Sequence, residues 1–187
     1  MKPRFVEPVV RLVSVISGNA DWTQAAVDRL EQEWGSIGNR SASFPFEAGG
    51  YYETQMGTGL TKTVIAFNDF QLPDGLAAWK LHTNDLEGQL AVDLQTSVPR
   101  PVNLDVGYLT QAKWVLATVK DRDHRIYLCD GIFAEITLRY VAKAWTPQRW
   151  SYESYRNPDV LAFANEIRSH LRQYLRETGQ LRGPGDR

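Results

Sequence analysis

The sequence has almost no cysteine, no excess of charge of either sign and no long apolar run. Its single cysteine, Cys129, cannot form a disulfide within the chain or supply a cysteine cluster for zinc. The 21 Lys and Arg against 22 Asp and Glu leave a formal net charge of -1, which disfavours nucleic acid as a partner. No segment approaches the ~20 apolar residues of a spanning helix, so we expect a cytoplasmic protein without a membrane partner.

The chain does contain enough apolar sequence for one folded domain. Its 187 residues are 43% hydrophobic and 23% charged, which is typical of globular proteins. We predict a single α+β domain over residues 1–179 and a mobile tail over residues 180–187, which is rich in Gly, Pro and charge. The expected fold is a mixed, largely antiparallel sheet with helices on one face, namely a ferredoxin-like core with an added hairpin and a C-terminal helix.

The elements are predicted from turn residues, helix caps and apolar periodicity. Helices are predicted after Asp21 or Thr23, after residues 73–74 and after residues 157–159. Residues 112–119 are also predicted as a helix, with a strand as the alternative because the segment is rich in β-branched residues. The predicted strands, each ending near turn residues, are 9–16, 41–46, 62–67, 102–109, 125–128 and 132–141.

Two segments of the sequence suggest anion binding but have simpler structural explanations. Residues 57–63 superficially resemble a phosphate-binding loop, but Thr61 precedes Lys62 where glycine is needed, and a strand is predicted to follow. We interpret this segment as a turn. Arg168, Arg172 and Arg176 are four residues apart on the last helix, and we interpret them as a solvated helix face rather than a site for an anion.

Polar and ionisable residues are concentrated between positions 103 and 135. In an extended strand, Asn103 and Asp105 share a face. On a helix, Lys113 and Lys120 would lie on the same side, where two ammonium groups suit a phosphate better than a neutral ligand. The sequence therefore predicts a site for a phosphorylated or nucleotide-like small molecule.

Two residues of this stretch are predicted to be catalytic. His124 can exchange a proton near neutral pH. Glu135 lies in an apolar stretch where an unpaired carboxylate is costly, so we predict that it is paired with Lys113, Lys120 or Arg125 inside a shared polar site. The sequence leaves open whether the protein is an enzyme.

Magnesium is the cofactor that the carboxylates of this stretch suggest. Asp105, Asp130 and Glu135 are predicted to hold it, because Mg²⁺ prefers a few carboxylates together with phosphate oxygens. Each residue also has a structural alternative, which for Asp130 is the hairpin turn it would form with Gly131.

A second cluster, at positions 44–53, places aromatic rings beside acidic residues. It is either a packed connection or a pocket wall with Tyr52 and Glu53 facing a ligand. The competing function is a non-enzymatic interaction domain, in which an aromatic surface at residues 145–155 contacts a protein partner. A compact pocket that gathers the predicted charges would favour ligand binding, and a flat aromatic patch would favour the interaction domain. No signal in the sequence fixes the oligomeric state.

Four stretches of the chain resemble a known family. They are FPFEAGGYYETQMG, KLHTNDLEGQLA, RPVNLDVGYLTQAKWVLATVKDRDHRIYL and DGIFAEITL, which span most of residues 44–138. The chain resembles the domain of unknown function 4416, whose members carry no established reaction. The resemblance implies membership and a shared polar motif, which falls on Asn103, Asp105, Tyr108, Lys113, Lys120, Asp121, His124, Arg125, Asp130 and Glu135.

Overall fold

The computed structural model of the protein describes residues 5–47, 50 and 52–181. Within these residues it contains nine strands in one sheet and four α-helices, which confirms the predicted α+β class. The helices are α1 (Ala20–Trp34), α2 (Glu53–Met56), α3 (Leu76–Asp93) and α4 (Pro158–Glu177). The strands are β1 (Val9–Ser17), β2 (Ile37–Arg40), β3 (Phe44–Pro45), β4 (Thr61–Gln71), β5 (Val102–Leu109), β6 (Lys113–Thr118), β7 (Ile126–Cys129), β8 (Ile132–Val141) and β9 (Ala144–Pro147).

The strand order is β2-β4-β1-β5-β6-β8-β7, with β3 beside β4 and β9 beside β8. Every strand pair within the described residues is antiparallel. The core has a βαββαβ order along the chain, formed by β1, α1, β2, β4, α3 and β5, with β3 and α2 inserted between β2 and β4. The spatial order of its strands is β2-β4-β1-β5. This is the ferredoxin-like arrangement that was predicted. Strand β6 and the β7–β8 hairpin extend the sheet beyond β5.

Helices cover both faces of the sheet, because the central strand is apolar on both sides. Every residue of β1 is buried. Val13 and Val15 pack with α1 and α3 in one apolar cluster, whereas Leu12 packs with Phe163 and Ile167 of α4 in another. The expectation that helices lie on one face therefore holds for α1 and α3, while α4 covers the opposite face. A strand with apolar residues on both faces needs a cover on each side.

Asparagine side chains cap the N-termini of the first and last helices, α1 and α4. The Asn157 side chain accepts a hydrogen bond from the Asp159 amide at 2.8 Å, as predicted for the start of α4. Asn19 caps α1 in the same way, accepting from the Asp21 amide at 2.7 Å. The predicted caps of α1, Asp21 and Thr23, are therefore wrong by two and four residues.

The segment predicted as a helix after Thr110 is strand β6, so the helical prediction is wrong and its strand alternative is confirmed. Thr110 closes a tight turn instead. Its amide donates to the Lys113 carbonyl at 2.8 Å, and its hydroxyl accepts from the Ala112 and Lys113 amides. As a strand, the segment satisfies its backbone on both sides through β5 and β8, which a short helix between them could not do.

The chain leaves α4 through a short contact with the end of that helix. The amides of Gln180 and Leu181 both donate to the Leu175 carbonyl, at 2.8 and 2.9 Å. The rest of the predicted tail, residues 182–187, lies outside the described residues. None of the helices in the described part of the chain has the length and apolar character that spanning a lipid bilayer requires.

Candidate functional site

A buried ion pair on β8 lies at the centre of the polar residues. The Glu135 side chain is 0% exposed, and its Oε2 accepts a hydrogen bond from Arg125 Nε at 2.7 Å. Burial acts to lower the pKa of Arg125, but interactions with Glu135 and, after it, Tyr152 outweigh burial and raise that pKa. The predicted pairing of Glu135 is confirmed, with Arg125 as the cation. Because Glu135 opposes Leu116 on β6, it lies on the face of the sheet that α4 covers.

His124 connects this ion pair to the protein surface. Its Nε2 lies 3.1 Å from Glu135 Oε2, and its Nδ1 lies 3.0 Å from Asp123 Oδ1. Its ring stacks on Trp150 with the two centroids 4.8 Å apart. The hydrogen bond with His124 holds the pKa of Asp123 below its ordinary value. Since both ring nitrogens contact carboxylates, this geometry favours a positioning role for His124 over the predicted proton exchange.

A β-bulge ties this part of β8 to the segment that leads into α4. The register of β8 on β6 shifts between the pairs Trp114–Leu138 and Val115–Ile136, which leaves Thr137 as the extra residue. The Thr137 carbonyl accepts a hydrogen bond from the Ser151 hydroxyl. The bulge therefore holds residues 148–151 against the sheet beside the ion pair.

A second buried cation, Lys62 on β4, lies on the same face of the sheet. Lys62 is 1% exposed, and its Nζ donates to Ser154 Oγ at 3.2 Å. The same nitrogen lies 3.9 Å from the centroid of the Tyr155 ring, which is also buried. Burial lowers the pKa of Lys62 to about 8, and the charge of Asp105 opposes that shift. A short 3-10 turn, Glu153–Arg156, carries both of its partners.

Strand β5 adds an amide and a carboxylate to this face. Asn103 and Asp105 lie opposite Ile16 and Ser14 of β1, which confirms that the two predicted residues share a face. Burial raises the pKa of the Tyr155 hydroxyl, and the negative charge of Asp105 raises it further. We refer below to Lys62, Asn103, Asp105, Glu135 and Tyr155 as the polar face.

Several buried polar atoms near the polar face have no hydrogen-bond partner among the described residues. They include Asn103 Nδ2, Glu135 Oε1 and the hydroxyl of Thr137 in the bulge. A buried polar group without a partner typically costs about 1 to 3 kcal/mol, so such groups are rare in the absence of a functional role or bound water. The presence of such atoms on or near the polar face therefore makes it a candidate site.

Two further cations meet at the ring of Tyr52, at the edge of the polar face. The guanidinium of Arg100 lies 6.0 Å from the ring centroid, and the ammonium of Lys120 lies 5.9 Å from it. Arg100 also donates to the side-chain oxygen of Asn103 and, at 2.6 Å, to Glu87 on α3. Sequence reasoning missed Arg100, although its position between two prolines and three residues before Asn103 was a usable signal.

Tyr52 and Glu53 line a cavity of about 350 Å³ together with residues 57–60. This arrangement agrees with the alternative in which the 44–53 cluster forms one wall of a pocket. Residues 48, 49 and 51 of that cluster lie outside the described part of the chain. Asp121, another predicted ligand residue, is exposed in the loop between β6 and β7.

Tyr108 and Lys113 lie away from the polar face, so the predicted single site is divided. Both residues line a separate groove beside α4. Because β6 is a strand, Lys113 is its first residue and Lys120 lies beyond its other end, roughly 20 Å away at the rise of an extended chain. The prediction that both lysines bind one phosphate is wrong, since it depended on a helix.

The predicted magnesium ligands are not brought together. Within residues 5–47, 50 and 52–181, no group of three or more His, Cys, Asp or Glu side chains could hold a metal ion. Asp130 is exposed in the β7–β8 turn with a φ of +50°, which fits its structural alternative. Glu135 is already paired with Arg125, and Asp105 lies beside Lys62.

Comparison with known proteins identifies the family of the chain. No curated protein and no solved structure gave a significant match. The family described as Domain of unknown function (DUF4416) matches residues 7–171, which is most of the chain. The match contains all the residues of the polar face and the cations beside it. The chain therefore belongs to the DUF4416 family, as its resemblance to that family predicted.

Proposed function

We propose that this protein binds a small phosphorylated or nucleotide-like molecule at the polar face. The observation that carries the proposal is the burial of Lys62 on the same sheet face as the Glu135–Arg125 pair. Stability does not require these charges, because apolar residues of similar volume often stabilise a core equally well or better. Buried ionisable groups with shifted pKa values concentrate at functional sites.

The groups at the edge of the polar face suit the phosphate of such a ligand. Arg100 and Lys120 are the cations gathered at Tyr52, and a phosphate accepts charge-assisted hydrogen bonds from both residue types. The Tyr52 ring offers a surface for a base or a sugar. Asn103 and Asp105 supply the amide and carboxylate that hydroxyl groups and ring nitrogens would contact.

Binding accounts for this geometry better than proton transfer does. Both nitrogens of His124 contact carboxylates, so exchange with a ligand would require one of those contacts to open. A magnesium ion would have to arrive with the phosphate, because the described residues do not assemble three metal ligands. We therefore assign Glu135 the role of holding Arg125 and His124 in position.

The alternative function, an interaction domain built on residues 145–155, has less support. Trp145 and Tyr155 are buried, and Trp150 is stacked on His124. Among the aromatic residues of this segment, Tyr152 alone is exposed. The segment is thus a cover over the polar face rather than a flat aromatic patch.

Ligand binding can be tested by thermal-shift measurements and isothermal titration with nucleoside monophosphates, sugar phosphates and inorganic phosphate, each with and without Mg²⁺. A ligand present at 100 times its dissociation constant adds about 2.7 kcal/mol to the free energy of unfolding. We expect Lys120→Ala, a change at an exposed residue, to weaken binding at least tenfold. Lys113→Ala is the matched control, since Lys113 is equally exposed but lies in the other groove. Stabilisation by none of these compounds, or equal weakening by both variants, would contradict the proposal.

A further inference from the structure

Among the described residues, four cationic side chains line a groove beside α4 that shares no lining residue with the polar face. The groove has a volume of about 840 Å³ and lies between α4, the β5–β6 turn and the β8–β9 turn. Its cations are Lys113, Lys143, Arg168 and Arg172, and Glu7 is the one acidic residue among the described residues of its lining. We call it the basic groove.

The two arginines of the basic groove are held in fixed positions by neighbouring residues. Arg168 Nε donates to the Gln111 carbonyl at 2.7 Å, and its guanidinium lies 3.6 Å from the centroid of the Tyr140 ring. Arg172 donates to the side-chain oxygen of Gln111, whose amide in turn donates to Glu7 at 2.7 Å. Because these guanidinium groups are already ordered, an anion that binds them bears little further entropic cost.

The remaining cations come from the two turns. Lys113 follows the β5–β6 turn, and Lys143 lies in the two-residue β8–β9 turn, where Ala142 and Lys143 both have a positive φ. Among the described residues, no carboxylate lies within 4.0 Å of the charged nitrogens of Lys113, Lys143 or Arg172. Among the described lining residues, cations therefore outnumber carboxylates in a concave site, an arrangement that attracts anions.

We propose that the basic groove is a second ligand site and that it binds a small polyanion carrying two or more phosphoryl groups. One phosphoryl group contacts the arginines of α4, and another contacts the lysines of the two turns. Arg and Lys side chains commonly bind phosphate in proteins, and the volume of the groove falls within the usual range for small-molecule sites. Tyr108 and Leu181 in the lining accommodate the uncharged part of the ligand.

The basic groove differs in its electrostatics from the polar face. On the polar face, Lys62 is near Asp105 and Arg125 is paired with Glu135, so the opposite charges largely cancel. In the part of the basic groove that the structure describes, four cations accompany one carboxylate, that of Glu7. A polyanion bound in the groove should therefore dissociate more readily as the salt concentration rises, whereas binding at the polar face should depend less on salt.

Titration of the full chain with inorganic pyrophosphate, at low and at physiological salt, tests this site. We expect Arg172→Gln and Lys113→Ala each to weaken pyrophosphate binding at least tenfold, and we expect added salt to weaken it in the wild type. Arg176→Gln is the matched control, because Arg176 is exposed on the same helix but does not line the groove. It should bind pyrophosphate as the wild type does, and urea unfolding of each variant should show that it is folded.

Three results would overturn the inference. The first is the absence of pyrophosphate binding to the folded wild-type protein. The second is a loss of pyrophosphate binding in Lys120→Ala but not in Arg172→Gln, which would assign the phosphate to the polar face and support the proposed function alone. The third is tighter binding of a short RNA than of pyrophosphate, with the same loss in Arg172→Gln, which would identify the groove as a nucleic-acid surface.

Discussion

Lys62 occupies a position on β4 where an apolar side chain would pack without any desolvation cost. Its ammonium group is surrounded by the Tyr155 ring, the Ser154 hydroxyl and the charge of Asp105. Burial disfavours the charged form of an amine, and so it lowers the pKa of Lys62 to about 8. The protonation state of a single residue should therefore be measurable in the stability of the whole protein.

We expect the free energy of unfolding to rise as the pH increases from about 8, the pKa of Lys62 in the folded chain, to 10.5, its ordinary value. In this range the unfolded chain still binds the proton that the folded chain has released, so increasing pH favours the folded state. The rise amounts to at most about 3 kcal/mol. Urea unfolding at several pH values should show it in the wild type and in Lys143→Met, an exposed control, but not in Lys62→Met. Parallel pH profiles for wild type and Lys62→Met would exclude this explanation.

Single residues also show where sequence reasoning succeeds and where it fails. Glu135 could be predicted as a buried, paired carboxylate because its immediate neighbours are apolar, and that information is local. Lys62 could not be identified, because its partners Ser154 and Tyr155 are distant in the sequence. Only the fold brings such residues together.

Among the elements, β6 shows most clearly why the site could not be assembled from the sequence. Residues 112–119 have a composition that suits either a helix or a strand, and the choice was made by pairing with β5 and β8. That choice separates Lys113 from Lys120 and divides one predicted site into the polar face and the basic groove. Three strands of the ferredoxin-like core, β1, β4 and β5, were by contrast predictable from local turn signals, and so was α4 outside the core from its cap. Strand β2 was not predicted, because the predicted strand 41–46 begins after it.

Strand β7 is an edge strand that leaves apolar side chains exposed. All four of its residues are exposed, and Ile126 is 71% exposed. An edge strand has unpaired backbone groups, so exposed apolar residues on it favour association with another strand. We expect Ile126→Lys to reduce concentration-dependent self-association in sedimentation velocity, with less than about 0.5 kcal/mol change in the free energy of unfolding.

Val92→Lys is the control for this experiment, since Val92 is 74% exposed but lies on helix α3. It removes a similar apolar surface and leaves the sheet edge unchanged, so self-association should be that of the wild type. A wild-type protein that is monomeric at every concentration, or an equal effect of both changes, would show that the edge of β7 does not associate.

At the level of the whole molecule, the net charge of -1 conceals an uneven distribution. The near balance of charge disfavoured nucleic acid as a partner, and it led to the interpretation of Arg168 and Arg172 as a solvated helix face. The fold places these two arginines with Lys113 and Lys143 around one groove. Overall composition therefore limits which large partners are attracted, and it does not report local sites.

The central position of β1 should make its backbone amides the most protected from exchange with solvent. This strand lies between β4 and β5 and is covered by α1 and α3 on one face and by α4 on the other. Its amides should therefore exchange with deuterium only when the whole domain unfolds, whereas those of β7 should exchange through local fraying. In hydrogen–deuterium exchange measured by mass spectrometry, peptides containing Val9–Ser17 should be the slowest to gain mass. Their rate would then give the free energy of global unfolding in the absence of denaturant, and rapid exchange there would mean that α4 detaches from the sheet as a separate unit.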